Sequence, residues 1–251
     1  MKILITLTII TLQQLFALIS IVPVEIGQKP GLSGKLQAGL DTKRGNTHTD
    51  NYNASTRINY DNNSSFVLWG ELSGEYGEAN DIENTNNIYS HIRLIHTIGS
   101  SNTRAEVFLQ TEEDKFRAIS ARRVAGSGLR FKVLDILEGS KGYYGLGAMY
   151  EYIQYVNPLV DPKENNIRLN TYLTYTLKLN DNSNFAYTFY YQPSTDDFND
   201  HVISNKLELK LRVYEKLFLK FNISYNVDSK PPVGVKEDYD FRQSTTFVFD
   251  F

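Results

Sequence analysis

Ile167-Arg168-Leu169-Asn170-Thr171-Tyr172-Leu173-Thr174-Tyr175-Thr176-Leu177-Lys178-Leu179 alternates for thirteen residues. Ile167, Leu169, Leu173, Tyr175, Leu177 and Leu179 fall on one parity; Arg168, Asn170, Thr174, Thr176 and Lys178 fall on the other. A period of two belongs to a β-strand with one apolar and one polar face. The pattern returns at Ile203, Leu207, Leu209, Leu211 and Val213, against Ser204, Lys206, Glu208, Lys210 and Arg212. It returns again at Leu217, Leu219, Phe221, Ile223, Tyr225 and Val227. No stretch beyond Ile26 carries a helical period.

Working outward from these segments, the period-two template gives about twelve strands. They fall near 31–43, 49–60, 65–76, 88–98, 103–113, 117–134, 143–155, 166–180, 184–192, 201–213, 217–228 and 239–251. Asp61-Asn62-Asn63-Ser64, Gly99-Ser100-Ser101-Asn102, Asp181-Asn182-Ser183 and Tyr214-Glu215-Lys216 read as tight turns. Longer polar stretches lie between them at Gly77–Asn87, Val156–Asn165, Pro193–Asp200 and Ser229–Asp238. The short link at Asp114-Lys115 and the longer one from Asp135 to Gly142 break that order. Short turns at one end and long loops at the other are expected of a transmembrane antiparallel up-and-down β-barrel.

A soluble β-sandwich or lipocalin-like barrel also alternates, so the ends of the apolar rows matter. Tyr52 and Tyr60, Phe66 and Tyr76, Tyr144 and Tyr152, and Tyr239 and Phe251 bracket aliphatic rows, as interfacial girdles do. The opposite rows carry Glu71, Glu75, Arg93, Arg104, Glu106, Lys206, Glu208, Lys210, Arg212, Lys220 and Arg242, the candidate lumen-lining residues. On the tenth and eleventh strands Lys206, Lys210, Arg212 and Lys220 would share the periplasmic half of one wall, with Glu208 the only acid in the row. Glu71, Glu75, Glu112 and Asp114 would lie towards the outer half. Between Arg117 and Leu134 the parity blurs at Arg122-Arg123, Gly126 and Gly128. Adjacent arginines cannot both face a lumen, so a bulge is expected there.

The ends of the chain fit an envelope protein. Lys2 followed by the apolar run Ile3–Ile19 has the layout of a secretory signal peptide over 1–20; an uncleaved anchor is the competing reading. A short segment, 21–30, would lead into the barrel at 31–251. At the other end Phe247, Phe249 and Phe251 share one face, and a last strand ending in Phe resembles the signal read by the barrel-assembly machinery. The outer membrane of a Gram-negative-type envelope, with its lipid, is the expected setting.

Composition narrows the chemistry. The 251 residues hold no Cys, which excludes disulfides, thiolate metal sites and a thiol nucleophile. A net charge of -3 gives no electrostatic case for nucleic acid. His201 and Ser204, three apart, lie on opposite strand faces, and none of the four histidines has a Ser two residues away. No metal or cofactor is expected from isolated histidines, and Glu112-Glu113-Asp114 reads as a solvated rim. Gly142-Tyr143-Tyr144-Gly145-Leu146-Gly147 reads as a small-residue strand admitting bulky neighbours.

Gly45-Asn46-Thr47, Asn87-Ile88-Tyr89, Asp114-Lys115-Phe116 and Gly126-Ser127-Gly128-Leu129, in that order, resemble the salt-induced outer membrane protein family, whose domain has no assigned function. The resemblance covers residues 31–155 best. In that family an aromatic pair follows Gly-x-Gly; here Arg130-Phe131 follows. The resemblance implies an outer-membrane barrel and supplies no catalytic residue or ligand. Three functions stay open: a narrow or gated solute channel, a closed structural or interaction barrel serving the envelope under osmotic stress, and a lipid-modifying enzyme. Trp69, Phe108, Tyr172, Tyr190 and Phe218 share the charged face and could fill a lumen this small.

Overall fold

The computed structural model describes residues 29–251 except 44–47, 100–101, 135–136, 158, 160–162, 234 and 236. The predicted signal segment and the Gly45-Asn46-Thr47 motif lie outside the described residues. Twelve strands follow one another: β1 (Gly31–Lys43), β2 (Thr49–Asp61), β3 (Phe66–Ala79), β4 (Ile82–Thr97), β5 (Thr103–Asp114) and β6 (Ile119–Leu134). Then come β7 (Ser140–Tyr155), β8 (Glu164–Asn180), β9 (Ser183–Pro193), β10 (His201–Tyr214), β11 (Leu217–Asp228) and β12 (Tyr239–Asp250). Each pairs antiparallel with its neighbours in sequence, and β12 returns to β1 to close the barrel.

The alternation sets the direction of every wall. On β8, Arg168, Asn170, Tyr172 and Thr174 are buried inside, while Ile167 and Leu179 stand exposed outside. That is a soluble protein inverted: the apolar face looks outward, where only lipid removes it from water. Leu36, Ile58, Leu72, Ile92, Val107, Leu146 and Phe247 continue the outer band. Tyr52 opposite Tyr76, and Tyr225 beside Tyr239 (ring centroids 5.9 Å apart), border it at one end. Tyr60 with Phe66 (6.0 Å), Phe249 and Phe251 border it at the other.

Local chemistry shapes the turns. Asn62 Oδ1 accepts from the N–H groups of Ser64, Ser65 and Phe66 at 3.1, 2.9 and 2.8 Å, and Asn63 takes a left-handed φ of 63°. Asp114 Oδ1 accepts from Phe116 and Arg117 N–H at 3.0 and 3.1 Å, closing the β5–β6 link. One expectation fails here. The polar stretch Gly77–Asn87 is not a long loop; it is hairpin, turning at Asn80-Asp81 with φ of 50° and 63°. Two consecutive left-handed residues make the two-residue turn that matches strand twist. Glu83, Asn84 and Asn86 are polar because this end of β4 lies past the apolar band, not because it is irregular. The long links at that end are therefore those after β7, β9 and β11, and both described termini lie at the opposite, short-turn end.

The expected irregularity in β6 is present. The register slips between Ile119 and Ala121, leaving Ser120 to donate to the carbonyls of Gln154 and Tyr155. Beyond the bulge Arg122 points in and Arg123 points out. Gly126 and Gly145 face inward where a Cβ would strike the rings of Phe108 and Tyr172. Their lack of a side chain lets those rings cross the lumen.

The closing seam differs from the other pairings. β1 and β2 are in register over thirteen positions, from Gly31↔Asp61 to Lys43↔Thr49. β1 and β12 are in register over four, Lys35↔Asp250 to Ala38↔Phe247, with reciprocal 2.9 Å bonds between Gly34 and Phe251 beneath them.

Candidate functional site: a divided lumen

Two unlike regions share the interior. Around the rings carried by β3–β9 it is packed. The Trp69 ring stacks on His91 (4.5 Å, 21°), and His91 lies 5.9 Å from Phe108. Arg57 sits 3.9 Å over Trp69, Arg93 4.6 Å over Phe108, and Arg130 4.1 Å over Tyr143. Glu106 ties these together: it lies 3.1 Å from Arg93 and 3.3 Å from Arg130, and accepts from the Tyr172 hydroxyl at 2.7 Å. Its side chain is 3% exposed, so each of its oxygens exchanges water for charged or hydroxyl donors. Nearer the long-loop end an alternating chain runs Glu112–Arg122 (3.0 Å), Arg122–Glu151 (2.6 Å), Glu151–Arg168 (2.6 Å) and Arg168–Asp200 (2.8 Å).

Beside this packed layer the interior is hollow, along a side bordered throughout by β10–β12 and β1. A cavity of about 140 Å³ near the long-loop side is bordered by Asn53, Ser55, Glu71, Glu75, Lys206 and Arg242 among others. A second, of about 460 Å³, lies towards the short-turn end. Gln37 and Lys220 line both cavities, and the Lys220 ammonium donates to Gln37 Oε1. Glu208, flanked by Lys206 and Lys220 at 3.3 Å each, completes the septum. The partition is one layer of flexible polar side chains thick.

The candidate lining residues thus divide. Arg93 and Glu106 belong to the packed region, and Arg104 stands beside it with its guanidinium 5.9 Å from the Tyr143 ring. Glu71 pairs with Arg57 (3.8 Å), and Glu75 with Arg242 (2.6 Å), along the outer cavity. Lys206, Glu208 and Lys220 form or flank the septum. Lys210 meets Asp250 at 2.7 Å in the inner cavity, and Arg212 is exposed at the short-turn rim, 5.4 Å from Phe218. One placement needs correction: Lys206 borders the outer cavity, because β10 starts at the long-loop end and reaches Lys206 before Glu208. Trp69, Phe108, Tyr172, Tyr190 and Phe218 are all buried.

Sequence reasoning passed over Lys35, Gln37, Arg57 and Asp250. The signal was there: Lys35 and Gln37 alternate with Leu36 and Leu40, and Arg57 precedes outward Ile58. Among the histidines, His91 is buried with Nδ1 2.8 Å from the Tyr89 hydroxyl, and His201 Nδ1 lies 2.9 Å from Asn199 O. Both contacts are structural in kind.

An antiparallel barrel with an apolar exterior, aromatic borders and a polar interior defines the class: the fold is that of an outer-membrane β-barrel. The chain belongs to the DUF481 family of proteins of unknown function, which it matches over residues 36–251. No curated protein matches it in sequence. Among solved structures it is similar to an outer membrane channel from Pseudomonas putida F1, at a TM-score of 0.57 and 9% identity over 92% of this chain and 100% of that one. It is also similar to the translocator domain of the autotransporter NalP from Neisseria meningitidis, at 0.52 and 10% identity over 88% of each chain. At such identities the likeness is one of fold.

Proposed function

We propose that this protein is an outer-membrane barrel providing a narrow, gated path for small polar solutes. A leader over 1–20 directs export, and the barrel-assembly machinery reads Phe247, Phe249 and Phe251. The observation that carries the reading is the pair of cavities meeting at Gln37 and Lys220. A closed interior has no need of two polar cavities end to end; a gate needs a thin, mobile partition between them. Long amine and amide side chains change rotamer quickly, so the partition can open without strand movement. The reading involves no reaction, and the contacts of His91 with a phenol and of His201 with a backbone carbonyl are compatible with it. A role under salt or osmotic stress fits such a path, since it would relieve solute gradients across the envelope.

Planar-bilayer recording tests this. Wild type should show small, flickering currents, and Gln37→Ala with Lys220→Ala should raise the open conductance several-fold. Silence from both proteins would favour the second reading, a closed structural barrel, which the Glu106 network supports.

A further inference from the structure

The inner cavity carries charge that the partition does not account for. Lys29, Lys35, Lys141, Lys178, Lys210 and Lys220 line it, against one lining carboxylate, Glu208. Asp181 and Asp250 stand beside it, each on a single lysine: Lys178 at 2.6 Å and Lys210 at 2.7 Å. The lysines approach from three walls. Lys29 and Lys35 come from the segment just before β1 and from β1, Lys141 and Lys178 from β7 and β8, and Lys210 and Lys220 from β10 and β11. Six lysines from three walls around one space open at the short-turn end raise its local potential, which favours an anion entering it.

The lining is also not uniformly polar. Val248 and Ala186 contribute carbon surface, and the Lys210 ammonium sits 4.0 Å over the Phe218 ring. At about 460 Å³ the space is of small-molecule size rather than ion size. We infer that the inner cavity is a binding site for a small organic polyanion, one whose two or more acid groups, carboxylate or phosphate, reach lysines on different walls while its carbon skeleton lies on Val248 and Ala186. Occupied, it would hold anions at the periplasmic side of the partition. This deepens the solute-path reading and rests on it only for how the ligand arrives.

Titration calorimetry on the full protein in detergent at low salt tests the site without any current. The probes are citrate, inorganic pyrophosphate and acetate. Citrate or pyrophosphate should bind at least tenfold more tightly than acetate, and affinity should fall steeply with added sodium chloride. Preference for citrate assigns carboxylate recognition; preference for pyrophosphate assigns phosphate recognition. Lys141→Gln with Lys210→Gln should weaken binding at least fivefold. Lys115→Gln with Lys230→Gln, the same charge change at the opposite rim, should leave it unchanged, and circular dichroism should show an intact barrel in each. Citrate and pyrophosphate binding no tighter than acetate, or a double variant equal to wild type, overturns the site. Bilayer currents report separately on the path: current without polyanion binding removes the site alone, and binding without current removes the path alone.

Discussion

Glu106 and Glu208 each answer several cations inside one barrel, yet their surroundings differ. Glu106 is enclosed by Arg93, Arg130, Tyr172 and the neighbouring rings and lines neither of the two cavities described. Glu208 borders the 460 Å³ cavity, and its partners Lys206 and Lys220 border the outer one. Planar guanidiniums stacked on rings make a fixed arrangement; ammonium groups on four-carbon stems beside open space make an adjustable one. The same sequence rule, charge on the inward parity, therefore builds a wall of the lumen in one region and a movable partition in the other. What separates them is the presence of aromatic neighbours and the absence of inward side chains at Gly126 and Gly145 to make room for them.

Three measurements would break or sharpen this contrast. The largest effect is expected at Glu106. Glu106→Ala strands two buried guanidiniums and a phenol, and by the usual cost of breaking a buried ion pair should remove about 3–5 kcal/mol of stability in denaturant unfolding. Glu208→Ala should cost about 1 kcal/mol, because water in the adjoining cavities can solvate the lysines it leaves. Equal losses at the two sites would mean that the hollow region is as rigid as the packed one.

Phe251 tests the seam beside the hollow region. Its backbone bonds to Gly34 remain if the side chain alone changes, so Phe251→Asp should refold in detergent nearly as wild type does. In cells the same variant should reach the membrane at several-fold lower levels, measured by fractionation. Normal levels would mean that the terminal ring serves only the aromatic border.

The smallest effect belongs to the long-loop end, where Lys230 donates to Asp197 at 2.8 Å and joins two loops over the hollow region. The lysine hydrogen bond holds Asp197 below the usual carboxylate range, and the aspartate raises Lys230 above its ordinary value. The clasp should thus be complete across neutral pH. It should loosen as pH falls through the lowered Asp197 value, and as pH rises through the raised Lys230 value. Both groups are solvent-exposed, so hydrogen exchange of these loops, not global unfolding, is the readout. Loops equally protected in wild type and in Lys230→Gln at pH 7 would dismiss the clasp.

Much of this was legible in the sequence, for a physical reason: a lipid-facing strand must alternate along its full crossing, so strand number and facing follow from parity. The exceptions are instructive. Gly77–Asn87 reads as loop because strand past the membrane has no apolar face to keep. The division of the lumen was not legible, because parity says that Arg93 and Lys206 both point inward and nothing about which aromatic rings meet them there. Asp250 escaped notice for the same reason: its partner Lys210 is forty residues away in sequence and two strands away in the barrel.

The four-position seam has a meaning in time. Lys35 and Asp250 are 215 residues apart (250 less 35), whereas Lys43 meets Thr49 across six. Bringing chain ends together costs entropy that grows as the logarithm of their separation, about 3 kcal/mol more for the seam than for the first hairpin. Every hairpin can zip locally and early; the ring cannot close until the last strand arrives, and then gains only four register positions and the Gly34–Phe251 exchange for doing so. Closure is the step of highest contact order in the molecule, and such steps are slow. Until it happens, β1 and β12 each offer an unpaired edge to any passing strand.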